Sequence, residues 1–346
     1  MRGKSDNRKE TIPVHRVAIV RPFARFLADV GAPVEREFQQ AGMPFLALEN
    51  LNNYVPSHRF WAFLVNAARI EGIEDLGFRV GHKNGADSVD PKLTNLLQQS
   101  PTLYHGLLSA SELTNKTISH CRLGLIQPAH SEQAYFFHSP SCDAQNPAIE
   151  QIGWFGLTML IETVRIFAGP EWQPKEIGLM THHLPCSSIR EQFPGTRMRL
   201  SQDYSYIALD NALLSLPPFT QAAAKPKSSH LDYDPCSEDF VGSLKQVLSS
   251  YIHEQHLSID FASELCNTSK RSLQRKLKDM GTHYSEVLDH ARFQVASQIL
   301  RDSDMKVTDV ARLLGYSDPT HFSRAFRRIA GINPRAYRQA NLRRTS

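Results

Sequence analysis

The sequence predicts two domains, an α+β N-terminal domain followed by an all-α C-terminal domain with two helix-turn-helix motifs. The chain has 346 residues, more than one ordinary hydrophobic core supports. Leu216 to Asp239 holds four prolines and has no sustained apolar period, which is typical of a linker. The residues after it repeat at an offset of 49. We therefore expect an N-terminal domain at 12–215, a linker at 216–239 and a C-terminal domain at 240–341.

The repeat pairs two predicted helices and the turn between them. IDFASELC, from Ile259, matches TDVARLLG, from Thr308, and SKRSLQRKLKDMG, from Ser269, matches DPTHFSRAFRRIAG, from Asp318. Ser269 and Asp318 are good N-cap residues because their side-chain oxygens can accept free backbone N–H groups. Each second helix has an apolar stripe with the i, i+4, i+7 spacing of a buried face. The stripes are Leu273, Leu277 and Met280, and Phe322, Phe326 and Ile329.

The faces opposite these stripes carry cationic and hydrogen-bonding side chains but no carboxylate. At 100° per residue they contain Arg271, Gln274, Arg275 and Lys278 in the first helix, and Thr320, Ser323, Arg324 and Arg327 in the second. Such side chains can bond base edges and phosphates. A solvated helix face is the alternative, but such faces usually mix charges of both signs. The layout is that of a helix-turn-helix, whose second helix enters the major groove of DNA.

The charge distribution agrees with this interpretation. The formal net charge is +4, but residues 241–346 carry 17 Lys and Arg against 10 Asp and Glu, so the first 240 residues are slightly acidic. A basic segment indicates a polyanionic partner, although an ordinary soluble surface would also explain it. A helix predicted between Tyr284 and Arg301 would span about 27 Å and could hold the two reading helices near one DNA turn apart.

These motifs resemble the AraC/XylS family of bacterial transcription regulators. The resemblance is carried by ELCNTSKRSLQRKL, ARFQVASQIL and VARLLGYSDPTHFSRAFRRIAGINPRAYR, over about residues 240 to 340. Cys266 and Asn267 depart from the glycine-like residue common in the first turn. In the family, outward residues early in the recognition helices contact bases. By position, the resemblance implies base contacts by Arg271, Gln274, Arg275, Thr320, His321 and Arg324, and we expect phosphate contacts by Ser269, Lys278, Ser323 and Arg327.

The first 215 residues mix predicted helices and strands. Amphipathic helices are predicted from His15 to Pro44 and from Val55 to Gly81, and strand-like runs include TISHCRLGLI, QAYFFHS and MRLSQDYSYIAL. FPGTRMRLSQDYSYIALDNALLSLPP resembles the closing segment of the arabinose-binding-type N-terminal domain in the subgroup that includes the ornithine-utilisation regulator. Gly77, Gly81 and Gly85 are spaced by four but have charged neighbours, so we expect helix-end and turn glycines.

No enzymatic or metal-binding motif stands out. Nucleotide-binding glycine motifs and a G-x-S-x-G nucleophile elbow are absent from the sequence. His182, His183 and Cys186 could in principle serve a metal, but adjacent histidines on a strand point to opposite faces. We therefore predict no cofactor, no metal and no enzymatic activity. The candidates for an effector pocket are Arg122, Tyr135, Trp154 and His183, although ordinary core or surface roles would also explain them.

The N-terminus lacks a secretory signal, and the longest uncharged stretch, Leu93 to Ser111, contains amide and hydroxyl side chains. We expect a cytoplasmic protein with no membrane partner, whose five cysteines are reduced thiols. The predicted function is a sequence-specific transcription activator that binds promoter DNA, RNA polymerase and a small-molecule effector, and forms a homodimer. Two alternatives are a ligand-independent regulator with an N-terminal dimerisation scaffold, and an enzyme fused to a DNA-binding module.

Overall fold

The computed structural model describes residues 11–84, 91–119, 121–140, 142, 145–219, 235–254 and 257–345. They form two compact units. The N-terminal unit consists of Ala18–Gly42 and Arg59–Cys236, and the C-terminal unit of Ser237–Ser346 together with Met1–Val17 and Met43–His58, in each case as far as they are described. The chain therefore passes between the units four times, and two segments from inside the predicted N-terminal domain fold with the C-terminal residues.

The described helices and strands before residue 216 confirm the predicted mixture of α and β structure. In chain order they are β1 (Val14–Arg16), α1 (Val17–Asp29), α2 (Val34–Gln40), β2 (Tyr54–Pro56), α3 (Ser57–Ile70), α4 (Leu76–Asn84), α5 (Pro91–Gln98), α6 (Leu103–Thr117), β3 (Cys121–Ile126), β4 (Gln133–Pro140), α7 (Ile149–Ala168), β5 (Glu176–Gly178), α8 (Ser187–Gln192), β6 (Arg197–Arg199) and β7 (Ser205–Asp210).

A five-stranded sheet in the order β3-β4-β7-β5-β6 is the centre of the N-terminal unit. Neighbouring strands are antiparallel except β5 and β6, which are parallel. Residues on a strand alternate between faces, so one face carries Phe136, Ile207 and Ile177, all nearly inaccessible to solvent. This face belongs to the same core cluster as Leu107 of α6 and Leu157 of α7. The sheet thus has a helix-covered face, as expected for an α+β domain.

Gly81 is not a helix-end or turn residue, contrary to the sequence prediction, whereas Gly77 is the second residue of α4 and lies at a helix end as predicted. Both lie within α4, where the helix passes close to α7. A Cβ atom on Gly81 would lie 1.8 Å from Oγ1 of Thr158, and one on Gly77 would lie 2.0 Å from the carbonyl oxygen of Gln151. The spacing of four therefore serves close helix packing, because neither site has room for a side chain. Gly85 lies outside the described residues.

The C-terminal unit is built mainly from helices, as predicted. They are α9 (Phe240–Ser250), α10 (Ile259–Leu265), α11 (Lys270–Asp279), α12 (Tyr284–Asp302), α13 (Val307–Leu313), α14 (Pro319–Ala330) and α15 (Pro334–Thr345). Leu244, Val247 and Leu248 of α9 are fully buried, as are Leu273 and Leu277 of α11.

β1 and β2, which are separated in sequence by α1 and α2, form a two-stranded sheet in the C-terminal unit that we call the hairpin. β1 and β2 are antiparallel, with His15 opposite Val55. The hairpin was not predicted, and helix was wrongly expected at His15, Arg16, Val55 and Pro56. Each strand has only three residues and runs directly into a helix, so its period of two is too short to detect. Its hydrogen-bonding partner lies about 40 residues away in sequence.

Two buried hydrogen bonds join this hairpin to α9. The Ile12 N–H donates to Oγ of Ser243 at 3.1 Å, and the Tyr54 N–H donates to Oγ of Ser250 at 2.8 Å. Ile12 and Tyr54 are almost completely buried. Because a buried N–H that loses its acceptor is costly, these serines fix the position of the hairpin on the helix.

Ser250→Ala removes the hydroxyl that accepts the Tyr54 N–H and is expected to destabilise hairpin docking by about 1–3 kcal/mol. Hydrogen–deuterium exchange of the full chain should show faster exchange in β2 and α9. Ser249→Ala is the matched control, since Oγ of Ser249 donates only to the Lys245 carbonyl of its own helix. Equal protection of β2 in both variants would contradict this role for Ser250.

Candidate nucleic-acid interface

The first motif consists of α10, a short turn and α11. Ser258 is the N-cap of α10 and accepts the Phe261 N–H at 3.2 Å, and Ser269 is the N-cap of α11 and accepts the Ser272 N–H at 3.2 Å. These bonds satisfy backbone donors that the first turn of a helix leaves free. The predicted start of α11 at Ser269 is therefore confirmed.

The second motif consists of α13, a turn and α14. Asp318 is the N-cap of α14 and accepts the Thr320 N–H at 2.7 Å, while Pro319 occupies the first helical position. The Thr320 N–H stabilises the ionised carboxylate and lowers the pKa of Asp318. The side chain therefore stays ionised, and capping, at any pH above its ordinary pKa.

The two turns differ in length by one residue. The left-handed residue that ends the first helix is Asn267 (φ 50°) in one motif and Gly315 (φ 76°) in the other, 48 positions apart. The N-caps Ser269 and Asp318 are 49 positions apart. The offset of 49 residues thus holds for the second helices of the two motifs, whereas the ends of the first helices are offset by 48 residues. Asn tolerates the left-handed conformation, which explains how the first turn forms without glycine.

The buried stripes of the recognition helices are confirmed with two exceptions, Met280 and Ile329, of which Ile329 is only partly buried. Leu273 and Leu277 in α11, and Phe322 and Phe326 in α14, are at most 2% exposed. Met280 was predicted to be buried but is 46% exposed. It is the C-cap residue of α11, where the chain has left the helical path that would carry its side chain to the core.

The predicted DNA-contacting residues of both helices are exposed, apart from Ser323. Those of α11 are Ser269, Arg271, Gln274, Arg275 and Lys278, and those of α14 are Thr320, His321, Arg324 and Arg327. Ser323 is only half-buried, and its hydroxyl donates to the Pro319 carbonyl at 3.0 Å. Each helix therefore presents a row of donors beside an apolar face that holds it in place.

Three neighbouring cationic side chains contact other residues of the C-terminal unit. Lys276 lies on α11, but its Nζ is 4.2 Å from the ring centroid of Phe240. Lys270 pairs with Asp260 at 2.9 Å, and Arg328 of α14 pairs with Asp289 of α12. The sequence analysis missed these pairs. Spacings of 10 and 39 residues bring opposite charges together only after the helices pack.

The helix α12 is held to the second motif by polar contacts as well. The Arg292 guanidinium lies 4.7 Å from the ring centroid of Tyr316, which is in the turn before α14. The Tyr316 hydroxyl lies 3.4 Å from the carboxylate of Asp289. Together with the Arg328 pair, these contacts connect the predicted linker helix to both the turn and the recognition helix.

The four predicted effector-pocket residues do not form one pocket. Trp154 is 2% exposed and packs in the core between Phe78 and Phe193. Arg122 is exposed on β3 and Tyr135 is half-buried on β4. His183 lies exposed in a bend rather than on a strand.

The described residues contain no group of three or more His, Cys, Asp or Glu side chains arranged to hold a metal ion. Nδ1 of His182 instead forms a hydrogen bond with Oγ of Ser201 at 2.8 Å. Among the same residues, no helix is both long and apolar enough to cross a membrane.

Two helix-turn-helix motifs with exposed, donor-rich second helices define a DNA-binding protein. Two family models match the chain. One is a helix-turn-helix domain over residues 262–340, and the other is the N-terminal arabinose-binding domain of AraC transcription regulators over residues 31–218. Because the second match alone covers more than half of the chain, the protein belongs to the AraC family of DNA-binding transcription regulators.

Similar proteins with curated descriptions are transcription regulators. The chain is 40% identical over 82 residues to the ornithine utilization regulator of Pseudomonas aeruginosa, covering 24% of each chain. It is 40% identical over 81 residues to the transcriptional activator RhaS of Escherichia coli, covering 23% of this chain and 29% of that protein. The matched segments therefore span about a quarter of the length of these relatives. Neither description indicates an enzyme.

Two solved structures are similar. CdpR, a transcriptional regulator from Pseudomonas aeruginosa, is 18% identical with a TM-score of 0.41, covering 93% of this chain and 98% of that chain. The DNA-binding domain of AdpA in complex with a target DNA is 27% identical with a TM-score of 0.27, covering 30% of this chain and 94% of that chain.

Ser269→Ala removes the N-cap of α11 and is expected to cost about 0.5–2 kcal/mol of local helix stability. Amide exchange at Ser272 should accelerate and DNA affinity should fall. Ser269→Asp keeps an acceptor at the cap and should restore most of the protection. Unchanged exchange in the alanine variant would exclude the capping role.

Proposed function

We propose that this protein activates transcription from specific promoters in response to a small-molecule effector. The observation that carries the proposal is the pair of exposed recognition-helix faces, each rich in hydrogen-bond donors and free of carboxylates. On this proposal the C-terminal unit binds promoter DNA and contacts RNA polymerase, and the N-terminal unit binds the effector and supports a homodimer. The protein acts as a regulator and not as an enzyme.

The side chains on the two faces suit different parts of DNA. Arginine can bond guanine O6 and N7 together, and glutamine can do the same to adenine N6 and N7. We assign base contacts to Arg271, Gln274 and Arg275 in α11, and to Thr320, His321 and Arg324 in α14. The phosphate contacts are assigned to Ser269, Lys278, Ser323 and Arg327. Single charges and hydroxyls position the helix on the backbone without reading sequence.

Genome-wide mapping of the bound sites tests the promoter claim directly. The neighbouring genes would also indicate the pathway and its metabolites. A titration of these metabolites against DNA affinity and reporter transcription then tests the effector, which must bind two states of the protein with different affinity to shift their populations. If sites are bound but no metabolite alters the binding or transcription, the DNA-binding part of the proposal stands and the effector-sensing part is wrong.

Arg275→Ala or Arg324→Ala is expected to weaken binding to a selected site by about 1–3 kcal/mol and to relax base preference in one half of that site. Selection of bound sequences from a random duplex pool, followed by competition titrations, measures both effects. Arg328→Ala is the control on the same helix as Arg324, because Arg328 is paired with Asp289. An equal loss on specific and random duplexes would contradict base reading.

Lys278→Ala or Arg327→Ala is expected to weaken all duplexes alike and to lower the slope of log affinity against log salt by about one. Titrations at several salt concentrations measure the slope. Lys276→Ala is the control for α11, because it removes a cation that lies against the Phe240 ring. A slope that stays at the value of the unaltered protein would remove Lys278 or Arg327 from the phosphate contacts.

A further inference from the structure

The five-stranded sheet of the N-terminal unit has a second face, opposite the helices. On β3, Leu123 and Leu125 pack against the hydrophobic core, as Met198 does on β6. Because alternate residues point to opposite faces, Arg122 and Arg197 point away from the core. The strand registers place Tyr135 and Phe137 of β4 on this outer face with them.

Four aromatic rings form a continuous cluster on the outer face. The ring centroids of Phe137 and Tyr204 are 4.8 Å apart, those of Tyr204 and Tyr206 5.8 Å, and those of Tyr206 and Tyr135 5.1 Å. Tyr206 is buried among its neighbours, whereas the other three rings are partly exposed. The exposed parts of these rings are aromatic surface against which another flat ring can pack.

Two glycines let these rings lie over neighbouring strands. A Cβ atom on Gly178 would lie 2.0 Å from the ring of Tyr206, and one on Gly124 would lie 2.9 Å from the ring of Phe137. Both rings therefore cover backbone where any larger residue would lift them away from the sheet. The Tyr206 ring of β7 thus lies over β5, and the Phe137 ring of β4 lies over β3.

The charged groups around the rings favour an anion. Glu176 accepts hydrogen bonds from the Tyr206 hydroxyl and from Nε of Arg199, both at 2.9 Å. Asp210, the other carboxylate on this face, is paired with Lys175 at 2.6 Å. Arg197 lies 3.6 Å from Glu176, which already has two partners, and its side chain is 70% exposed.

The outer face therefore carries three guanidinium groups, on Arg122, Arg197 and Arg199, against two carboxylates that already have partners. A cationic ligand would have to compete with those partners for the carboxylates, whereas an anionic ligand can bind the exposed arginine side chains.

We infer that this outer face is the effector site, and that the effector is a small molecule with a flat aromatic ring and an anionic group. The ring packs against Tyr135, and the anion bonds Arg197, which the strand registers place in line with Tyr135 across the sheet. This inference rests on the proposed effector response and adds the site and the ligand class to it. Two of the predicted pocket residues, Arg122 and Tyr135, lie on this face, whereas Trp154 lies in the core.

Calorimetric titration of the full chain without DNA tests the inference. The probes are two aromatic carboxylates, benzoate and indole-3-acetate, and one nucleoside monophosphate, AMP, which separate the two sources of an aromatic anion. Cyclohexanecarboxylate has the charge without the aromatic ring, and benzamide has the ring without the charge. We expect at least one aromatic anion to bind about tenfold more tightly than both controls.

Tyr135→Leu and Arg197→Gln are each expected to weaken that binding about fivefold or more. Tyr104→Leu on α6 and Arg190→Gln on α8 alter exposed residues outside the face and should leave it unchanged. The inference is overturned if no probe binds with a Kd below about 1 mM, or if the Tyr135 and Arg197 variants bind normally. It is also overturned if those variants change the oligomeric state on sizing, since the face would then be a subunit interface.

The outcome is independent of the DNA measurements. If a probe binds in a way that depends on Tyr135 and Arg197 but does not alter DNA affinity, the ligand site is established and the proposed effector response is wrong. If a metabolite alters DNA affinity equally in the unaltered protein and in both variants, the effector response stands but its site is not this face.

Discussion

The burial of one stripe on each recognition helix is the constraint on which the proposed DNA contacts depend. Leu273 and Leu277 fix the rotation of α11 about its axis, and Phe322 and Phe326 do the same for α14. Once these side chains are buried, a helical period of 3.6 residues leaves no choice about which residues point outward. Arg275 and Arg324 are exposed for this reason, and their function follows from packing as much as from charge.

The hairpin extends the same dependence to the start of the chain. Ser243 and Ser250 of α9 are buried where they accept the backbone N–H groups of Ile12, just before β1, and of Tyr54 in β2. β1 runs directly into α1, and β2 runs directly into α3.

The parts of this molecule that could be predicted from sequence are those determined by short-range interactions. The N-caps Ser269 and Asp318 and the stripes of α11 and α14 depend on residues within a few positions of one another. The hairpin and the Asp289–Arg328 pair depend on residues about 40 positions apart, which no local pattern encodes. Gly81 was misinterpreted for the same reason: its missing side chain matters only because Thr158 lies against it. The prediction that Met280 is buried was wrong because the apolar stripe was extended beyond the end of α11.

The sheet illustrates the limit of predicting structure from strand-like runs in the sequence. The strand-like runs QAYFFHS and MRLSQDYSYIAL were sufficient to predict strands at β4 and β7, but they could not show which of the two faces the helices cover. Tyr135 and Trp154 looked equivalent as aromatic residues in apolar segments, yet one lies on the open face and the other in the core. Their difference arises only when the sheet and α7 pack together. Which face of a sheet is available to a ligand is therefore a tertiary property.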